Sequence, residues 1–373
     1  MRILHKYITK ELLPPFLVGL GFFTFVFILN PILRLVDLII VKNVDFFTVL
    51  KLFFYLLPST IAIVIPMATL VAVLMAFGRL SSDSEIIAMR ACGINYFNIF
   101  LPVIILAFFI SIIGCIFNDT VLPTGNYAFK QLYKEIVQKK PLAEVDEHSL
   151  TRIGNRIVGI DKIDKRRDIM YGIVIFERNE KTGGVKIITA KKGRWIESTE
   201  KKVSKNKILH IMRLQLEDGN IQQPSVNNLE QFSNIPFKKM IINFTEIIHY
   251  FTEVEKGTRE KSTKEILAEI RATEKGGRRS HKLWVEYHKR FSIPFAALAF
   301  VLLGAPLGIV SKRSGKSIAL GVSIVIIILY YLIYTLGESV AREGKLNEFV
   351  AVWLPNFIFS AGGVGYIYYI SKQ

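Results

Sequence analysis

The chain has 373 residues, of which 51% are hydrophobic and 21% charged, with 27 Phe and a formal net charge of +17. That average conceals two unlike materials: apolar runs long enough to cross a hydrocarbon core, about 20 residues each, and one charged block between the third and fourth of them. A uniformly soluble globule is thereby excluded, and the two cysteines, Cys92 in a loop and Cys115 inside an apolar run, imply no disulfide framework.

Arg2, Lys6 and Lys10 precede the first run, residues 14–41. It is too long for a cleavable signal peptide, and no small-residue cleavage pattern follows it. Arg34 and Asp37 sit in its far half with Lys42 just behind. A charge at the bilayer centre costs roughly 2.5–3.5 kcal/mol on insertion scales, so these residues need a reason. Either Arg34 and Asp37, three apart, neutralise one another along the helix, or Arg34 and Lys42 face a cavity and hold an anionic headgroup. Arginine suits phosphate through its bidentate fork and lysine through its mobile point charge.

After the second run, residues 49–77, comes the short polar stretch RLSSDSEIIAMRACGINYFN, residues 79–98. Ser82 and Glu85 match a capping box, and Gly93 stands where a helix usually stops. The expected helix, residues 82–93, is roughly 15 Å long at 1.5 Å per residue, too short to span a bilayer and suited to docking in a groove. Ile86, Met89 and Gly93 fall on one side, and Asp83, Glu85 and Arg90 supply ion-pairing capacity. An ordinary capped loop helix is the competing reading.

The third run, residues 99–122, leads into the charged block. There the pattern shifts to short alternating stretches at 157–163, 171–176, 185–188, 208–216 and 240–244, separated by turn formers such as Asn155, Thr182-Gly183-Gly184 and Asp218-Gly219-Asn220. Seven or eight short strands argue for an all-β sandwich or jelly roll. Its basic groups, Lys165-Arg166-Arg167 and Lys191-Lys192-Gly193-Arg194, lack the aromatic interleaving of a stacking platform, so they read as solvated loops and no nucleic acid is expected. Such a domain offers either an open edge for a partner strand or an apolar interior for acyl chains. Ser262 and Glu265 cap a further helix that carries Ile266, Leu267 and Ile270 on one face and ends at Gly276-Gly277.

Three more runs follow at residues 291–310, 317–337 and 349–370. Lys289 and Arg290 open the first of them, and Glu338 and Arg342 close the second, as part of the same rim or as a simple interfacial ion pair. Four cations, Arg34, Lys42, Lys289 and Arg290, favour a phospholipid-like or lipid A-like ligand over a small neutral solute. Ser314-Gly315-Lys316-Ser317 imitates the end of a phosphate-binding loop, but Val310 stands where its first glycine belongs. His281, Glu286 and His288 fit no common zinc spacing. Neither a catalytic constellation nor ATP binding by this chain is expected.

Arg2, Lys6, Lys10, Arg79, Arg90, Lys312, Arg313, Lys316 and Lys372 place their segments on the cytoplasmic side. Six spans then return both termini to the cytoplasm and put the β block outside. The expected fold is a polytopic α-helical membrane protein with six transmembrane helices and an inserted all-β, jelly-roll-like periplasmic domain between spans three and four. Its divisions are 1–122 for the first three spans, 123–261 for the β domain, 262–284 for a connecting helix and linker, and 285–373 for the last three spans.

The chain resembles the lipopolysaccharide-export permeases LptF and LptG along its whole length. The resemblance rests on LHKYITKEL, PILRLVD in the first span, LSSDSEIIAMRACGI after the second, STKEILAEIRA, and EYHKRFSIPFAALAFVLLGAPLGI in the fourth. It implies a coupling helix seated in a groove of a separate LptB-like ATPase dimer, with Ser84, Glu85, Met89, Arg90 and Gly93 as the docking surface and Glu85 the first choice for an essential contact. It also implies that Arg34 and, less directly, Lys42 lie near the lipid's phosphates; that Lys289 and Arg290 join them is read from the residues themselves. The implied protein has no cofactor of its own, ATP and Mg being bound by the ATPase, and it sits in the bacterial inner membrane. Two related permease chains open a lateral gate between the first span of one and the fifth of the other, and the β domain hands lipopolysaccharide to LptC and LptA by edge-joined sandwiches. The EYHKRF segment reads closer to LptF and PILRLVD closer to LptG, and a homodimer fits as well. The rival readings are an envelope scaffold that moves no lipid and an ion-coupled carrier, the latter disfavoured because spans two, four and five carry no midplane carboxylate.

Overall fold

A computed structural model describes residues 2–40, 44–139, 149–153, 156–164, 169–178, 185–204, 207–224, 232–248, 256–277, 279–310 and 316–372. Six of its helices are long and apolar enough to cross a membrane: α1 (Arg2–Ile40), α2 (Phe46–Ser82), α4 (Tyr96–Lys139), α6 (His281–Val310), α7 (Lys316–Arg342) and α8 (Glu348–Ser371). Between α2 and α4 lies the short helix α3 (Glu85–Ala91), and α5 (Thr263–Lys275) precedes α6. The described residues divide into two compact units, one holding most of the helices and one the β domain.

Within the helical unit, α2 and α6 are the most buried spans. One apolar cluster joins Leu70 and Leu74 of α2 to Phe300 of α6, Tyr330 of α7 and Phe359 of α8. A second joins Ile8 and Leu12 of α1, Phe77 and Leu80 of α2, Ile86 of α3, Phe100 of α4 and Val301 of α6. Helix prolines leave carbonyls without their intrahelical donor, and neighbours must meet them. Pro294 frees the Arg290 carbonyl, which accepts from Asn118 Nδ2 of α4 at 3.3 Å. Pro355 frees that of Ala351 and Pro306 that of Leu302, and each is closely approached by a glycine. A Cβ at Gly337 would lie 2.5 Å from the Ala351 oxygen, and one at Gly363 equally close to that of Leu302. Ser292 Oγ donates to the Val352 carbonyl (2.7 Å), Asn356 Nδ2 to the Ser292 carbonyl (2.8 Å) and Tyr330 OH to Asn356 Oδ1 (2.9 Å), so these three buried side chains of α6, α7 and α8 form one hydrogen-bonded chain.

The third span continues as helix well past residue 122: α4 has 44 residues, about 66 Å at 1.5 Å per residue. It carries the chain through Pro123 to Lys139, so residues 123–139, assigned from the sequence to the β domain, are helical. Pro123 frees only one carbonyl, and next to it Thr124 Oγ1 donates to the Thr120 and Val121 carbonyls (3.0 and 2.8 Å), so the helix continues.

The inserted domain is all-β. Its strands β1 (Ser149–Ile153), β2 (Arg156–Asp164), β3 (Ile169–Arg178), β4 (Val185–Ser204), β5 (Lys207–Pro224) and β6 (Phe232–Ile248) pair antiparallel in chain order. The alternating stretches all fall in strands, but there are six of them among the described residues rather than seven or eight. The last three are long, at 20, 18 and 17 residues. Asp218-Gly219-Asn220, expected as a turn, lies inside β5, where Asp218 adopts φ 51° and a Cβ on Gly219 would collide with the Phe237 ring and the Thr189 carbonyl. Lys191-Lys192-Gly193-Arg194 likewise lies in β4 rather than in a loop. Lys165-Arg166-Arg167, Asn155 and Thr182-Gly183-Gly184 lie outside the described residues. The sheet rolls on itself: the Arg156 guanidinium of β2 donates to the Asn243 carbonyl of β6 at 2.8 Å. Rolling closes one face over Val158, Ile160, Ile173, Ile175, Leu214 and Leu216, which gives a single sheet the enclosed core that a flat one lacks.

Candidate functional site

The short helix α3 hangs between two joints. At its start Ser82 is the last residue of α2 and Ser84 is the N-cap, with φ 59° and no side-chain cap. The Ser82–Glu85 capping box therefore does not form, because its serine is used to finish the preceding helix. At its end Gly93 takes φ 81°, its N–H bonds the Arg90 carbonyl (2.9 Å) and the Ile94 N–H bonds that of Met89 (3.1 Å). This is a Schellman turn, with Ile94 and Met89 both packed on the same apolar cluster.

That packing decides which side of α3 faces out. Ile86 is buried, Met89 is half-buried on the cluster, and the Arg90 guanidinium lies 4.4 Å over the Tyr96 ring. Ser84, Ile87, Ala88 and Ala91, spaced at i, i+3, i+4 and i+7, are exposed, as is Gly93. Of the five residues expected to form a docking surface, Ser84 and Gly93 face outward while Met89 and Arg90 anchor the helix from beneath. Ile87, which is 54% exposed, Ala88 and Ala91 share the outward side with Ser84, and their helical spacing was readable in the sequence.

Glu85 turns toward α1. Its carboxylate accepts from Tyr7 OH at 2.8 and 3.0 Å, and Tyr7 OH accepts in turn from Arg79 Nη2 at 3.2 Å. Arg79 Nη2 also pairs with Glu11 at 2.8 Å and lies 4.0 Å from Glu85. No motif linked Tyr7 to Glu85, 78 positions apart in the chain.

Of the four cations expected to hold a headgroup, the three among the described residues have different surroundings. Arg34 is exposed, and among the described residues it takes part in no ion pair or hydrogen bond. Lys42 lies outside the described residues. Lys289 Nζ donates to both oxygens of Glu338 at 3.1 Å, and Glu338 also accepts from Arg342, whose Nη2 stands 2.5 Å away and 4.0 Å from Glu286. Two cations and two carboxylates balance, so Lys289 has a partner already. Glu338 and Arg342 are thus an ion pair, with Lys289 as its third member.

Arg290, expected beside Lys289 at the headgroup, is packed inside the protein. It is only 6% exposed, and its guanidinium is taken up inside the protein. It donates to the Lys261 carbonyl, to Thr263 Oγ1 at 3.2 Å and to the Thr258 carbonyl at 3.5 Å, and it lies 3.5 Å from Asp119 of α4. Asp119 also accepts from the Thr263 N–H at 2.7 Å. A cation so enclosed clamps the start of α5. The capping box of α5 itself forms as expected: Glu265 N–H donates to Ser262 Oγ (3.3 Å) and Ser262 N–H to Glu265 Oε2 (2.6 Å). Lys256 and the Ser262 N–H hold the Glu265 carboxyl below the usual carboxylate range.

His281, Glu286 and His288 do not converge. His281 Nδ1 lies 2.7 Å from the buried Glu348 carboxylate, which Arg279 also donates to at 2.8 Å. His288 stacks on Trp284, and Glu286 faces Arg342.

Comparison with known proteins adds the following. The family model described as "Lipopolysaccharide export system permease LptF/LptG" matches residues 6–369. The lipopolysaccharide export system permease protein LptF of Escherichia coli (strain K12) is 21% identical over 96% of this chain and 93% of its own length. The protein of the same name from Shigella flexneri matches to the same extent. An uncharacterised protein of Rickettsia prowazekii is 27% identical over 48% of this chain and 49% of its own.

Proposed function

Because the chain belongs to the LptF/LptG family of lipopolysaccharide export permeases, we propose that it extracts lipopolysaccharide from the inner membrane, driven by ATP hydrolysis in an LptB-like ATPase dimer docked on α3. The observation that carries this reading is the outward stripe Ser84, Ile87, Ala88 and Ala91 on a helix pinned from below by Ile86 and Met89. A seven-residue helix held this firmly, yet showing apolar side chains on its free face, matches the helix-in-groove mode of recognition. Ser84 and Gly93 border the docking face, Met89 and Arg90 fix its orientation, and Glu85 lies at its rim.

The transport half of the reading is a two-state cavity biased by ATPase closure. In it, α1 of one chain and α7 of a second LptF/LptG-type chain form a lateral gate. These are the two least buried spans, and each has an apolar stripe: Phe22, Phe25, Leu29 and Leu33 on α1, Val325, Ile328, Leu332 and Leu336 on α7. Arg34, exposed and unpaired among the described residues, is the cation available for a lipid phosphate. Lys289 would serve only by releasing Glu338. Both termini are cytoplasmic, and the β domain is periplasmic, passing lipid to LptC- and LptA-like proteins at its strand edges.

Ile87→Asp tests the docking face. Introducing a charge at an apolar contact abolishes co-purification of the ATPase while the permease still inserts and folds, since Ile87 is outside the core. Undiminished co-purification contradicts the assignment.

A further inference from the structure

Helix α3 is tied to three elements in three different ways. Its joint to α2 is two residues, Asp83 and the left-handed Ser84. The joint to α4 is the Schellman turn at Gly93, reinforced by Arg90 on Tyr96. Both joints are turns in which the chain direction changes, and they act as pivots more than as struts. The third tie has no covalent component. Ile86 packs in one apolar cluster with Ile8 and Leu12 of α1, and just outside that cluster the chain of donors Arg79 to Tyr7 to Glu85 links the polar rims. Arg79 holds Glu11 of α1 at the same time, so α1 is gripped at two positions one helical turn apart.

The grip sits at the foot of the span with the fewest other restraints, since α1 is the least buried of the six. Arg34 stands 27 positions further along that same helix, about 40 Å away at 1.5 Å per residue. We propose that Tyr7 is a positioning residue whose hydroxyl, donating to Glu85 and accepting from Arg79, makes α3 and the foot of α1 move together, so that displacement of α3 reaches the first span directly. Glu85 then acts within the chain, as the acceptor of this tie, and the outward stripe of α3 does the docking. The proposal rests on α3 being the ATPase-docking helix.

Tyr7→Phe removes the hydroxyl and keeps the ring. The test is made on the assembled permease–ATPase complex in proteoliposomes, with labelled lipopolysaccharide as the transported probe, and three quantities are read: ATPase bound, ATP hydrolysed and lipopolysaccharide transferred per ATP. ATPase association and hydrolysis are expected to stay at wild-type levels while transfer per ATP falls about tenfold, the factor expected for losing one hydrogen bond to a charged group. Tyr7→Phe combined with Glu85→Gln lowers that ratio no further than the worse single variant, as two ends of one interaction should. A general loss of fold would lower ATPase bound and ATP hydrolysed together and leave transfer per ATP unchanged. Wild-type transfer per ATP in Tyr7→Phe overturns the tie, and so does loss of ATPase association, which would make Tyr7 a prop for the docking face instead. Absence of transfer by the wild-type complex overturns the permease reading itself.

Discussion

Truncating Arg290 to alanine removes, from a position closed to solvent, the donor to the Lys261 carbonyl, and it also removes the cation beside the partly exposed Asp119. A buried polar group stranded in this way costs about 2 kcal/mol, more where charge is involved. Arg290→Ala is therefore expected to lower thermal stability in detergent by that order and to expose the start of α5 to protease. Arg34→Ala removes no hydrogen bond or ion pair among the described residues, and its effect on stability should stay within about 0.5 kcal/mol, while lipopolysaccharide adducts at the first span fall sharply. Reversed outcomes, with Arg290 neutral to stability and Arg34 costly, would exchange their roles. Both residues read alike in the sequence, as cations at the rims of apolar runs. Their difference lies in Thr258, Lys261 and Asp119, whose proximity to Arg290 no local pattern encodes.

Among the elements, α5 is the one whose pH response follows from its caps. Lys256 and the Ser262 N–H hold the Glu265 carboxyl below its ordinary value, so the unfolded turn binds the proton more tightly than the folded one. The stabilisation is thus fully present above the ordinary glutamate pKa, about 4.3, and is lost as pH falls through the depressed folded value. The group is 43% exposed, which keeps the effect small. Faster hydrogen exchange in the first turn of α5 on acidification, abolished by Glu265→Gln, is the expected signature. Ser262→Ala should cost about 1 kcal/mol at neutral pH. This capping box was legible because its partners are three residues apart. The same pattern at Ser82 and Glu85 misled, because α2 runs on to Ser82 and Glu85 finds Tyr7 instead. Helix α4 misled in the same direction: the apolar run ends near residue 122, yet hydrogen bonding carries the helix to Lys139. Hydropathy locates the part of a helix inside hydrocarbon and is silent about the part beyond it.

For the molecule as a whole, periodicity and length were sufficient to find six spans and an all-β insertion, because the bilayer's thickness and the pleat of a strand impose repeating constraints on single residues. The rolling of the sheet, shown by Arg156 reaching Asn243, and the bond from Tyr7 to Glu85 join residues 87 and 78 positions apart. They depend on geometry that only the folded chain supplies. The central claim is that the exposed side of α1 meets a lipid whose passage depends on the ATPase. Its most direct test is photocrosslinking in cells from a reactive amino acid at position 33 of α1, 64% exposed beside an intact Arg34, with position 329 of α7, 49% exposed, as its counterpart across the proposed gate. Lipopolysaccharide adducts at both positions that disappear with a hydrolysis-deficient ATPase are the predicted result. Adducts to protein alone, unchanged by the ATPase, would contradict it and make the chain an envelope scaffold.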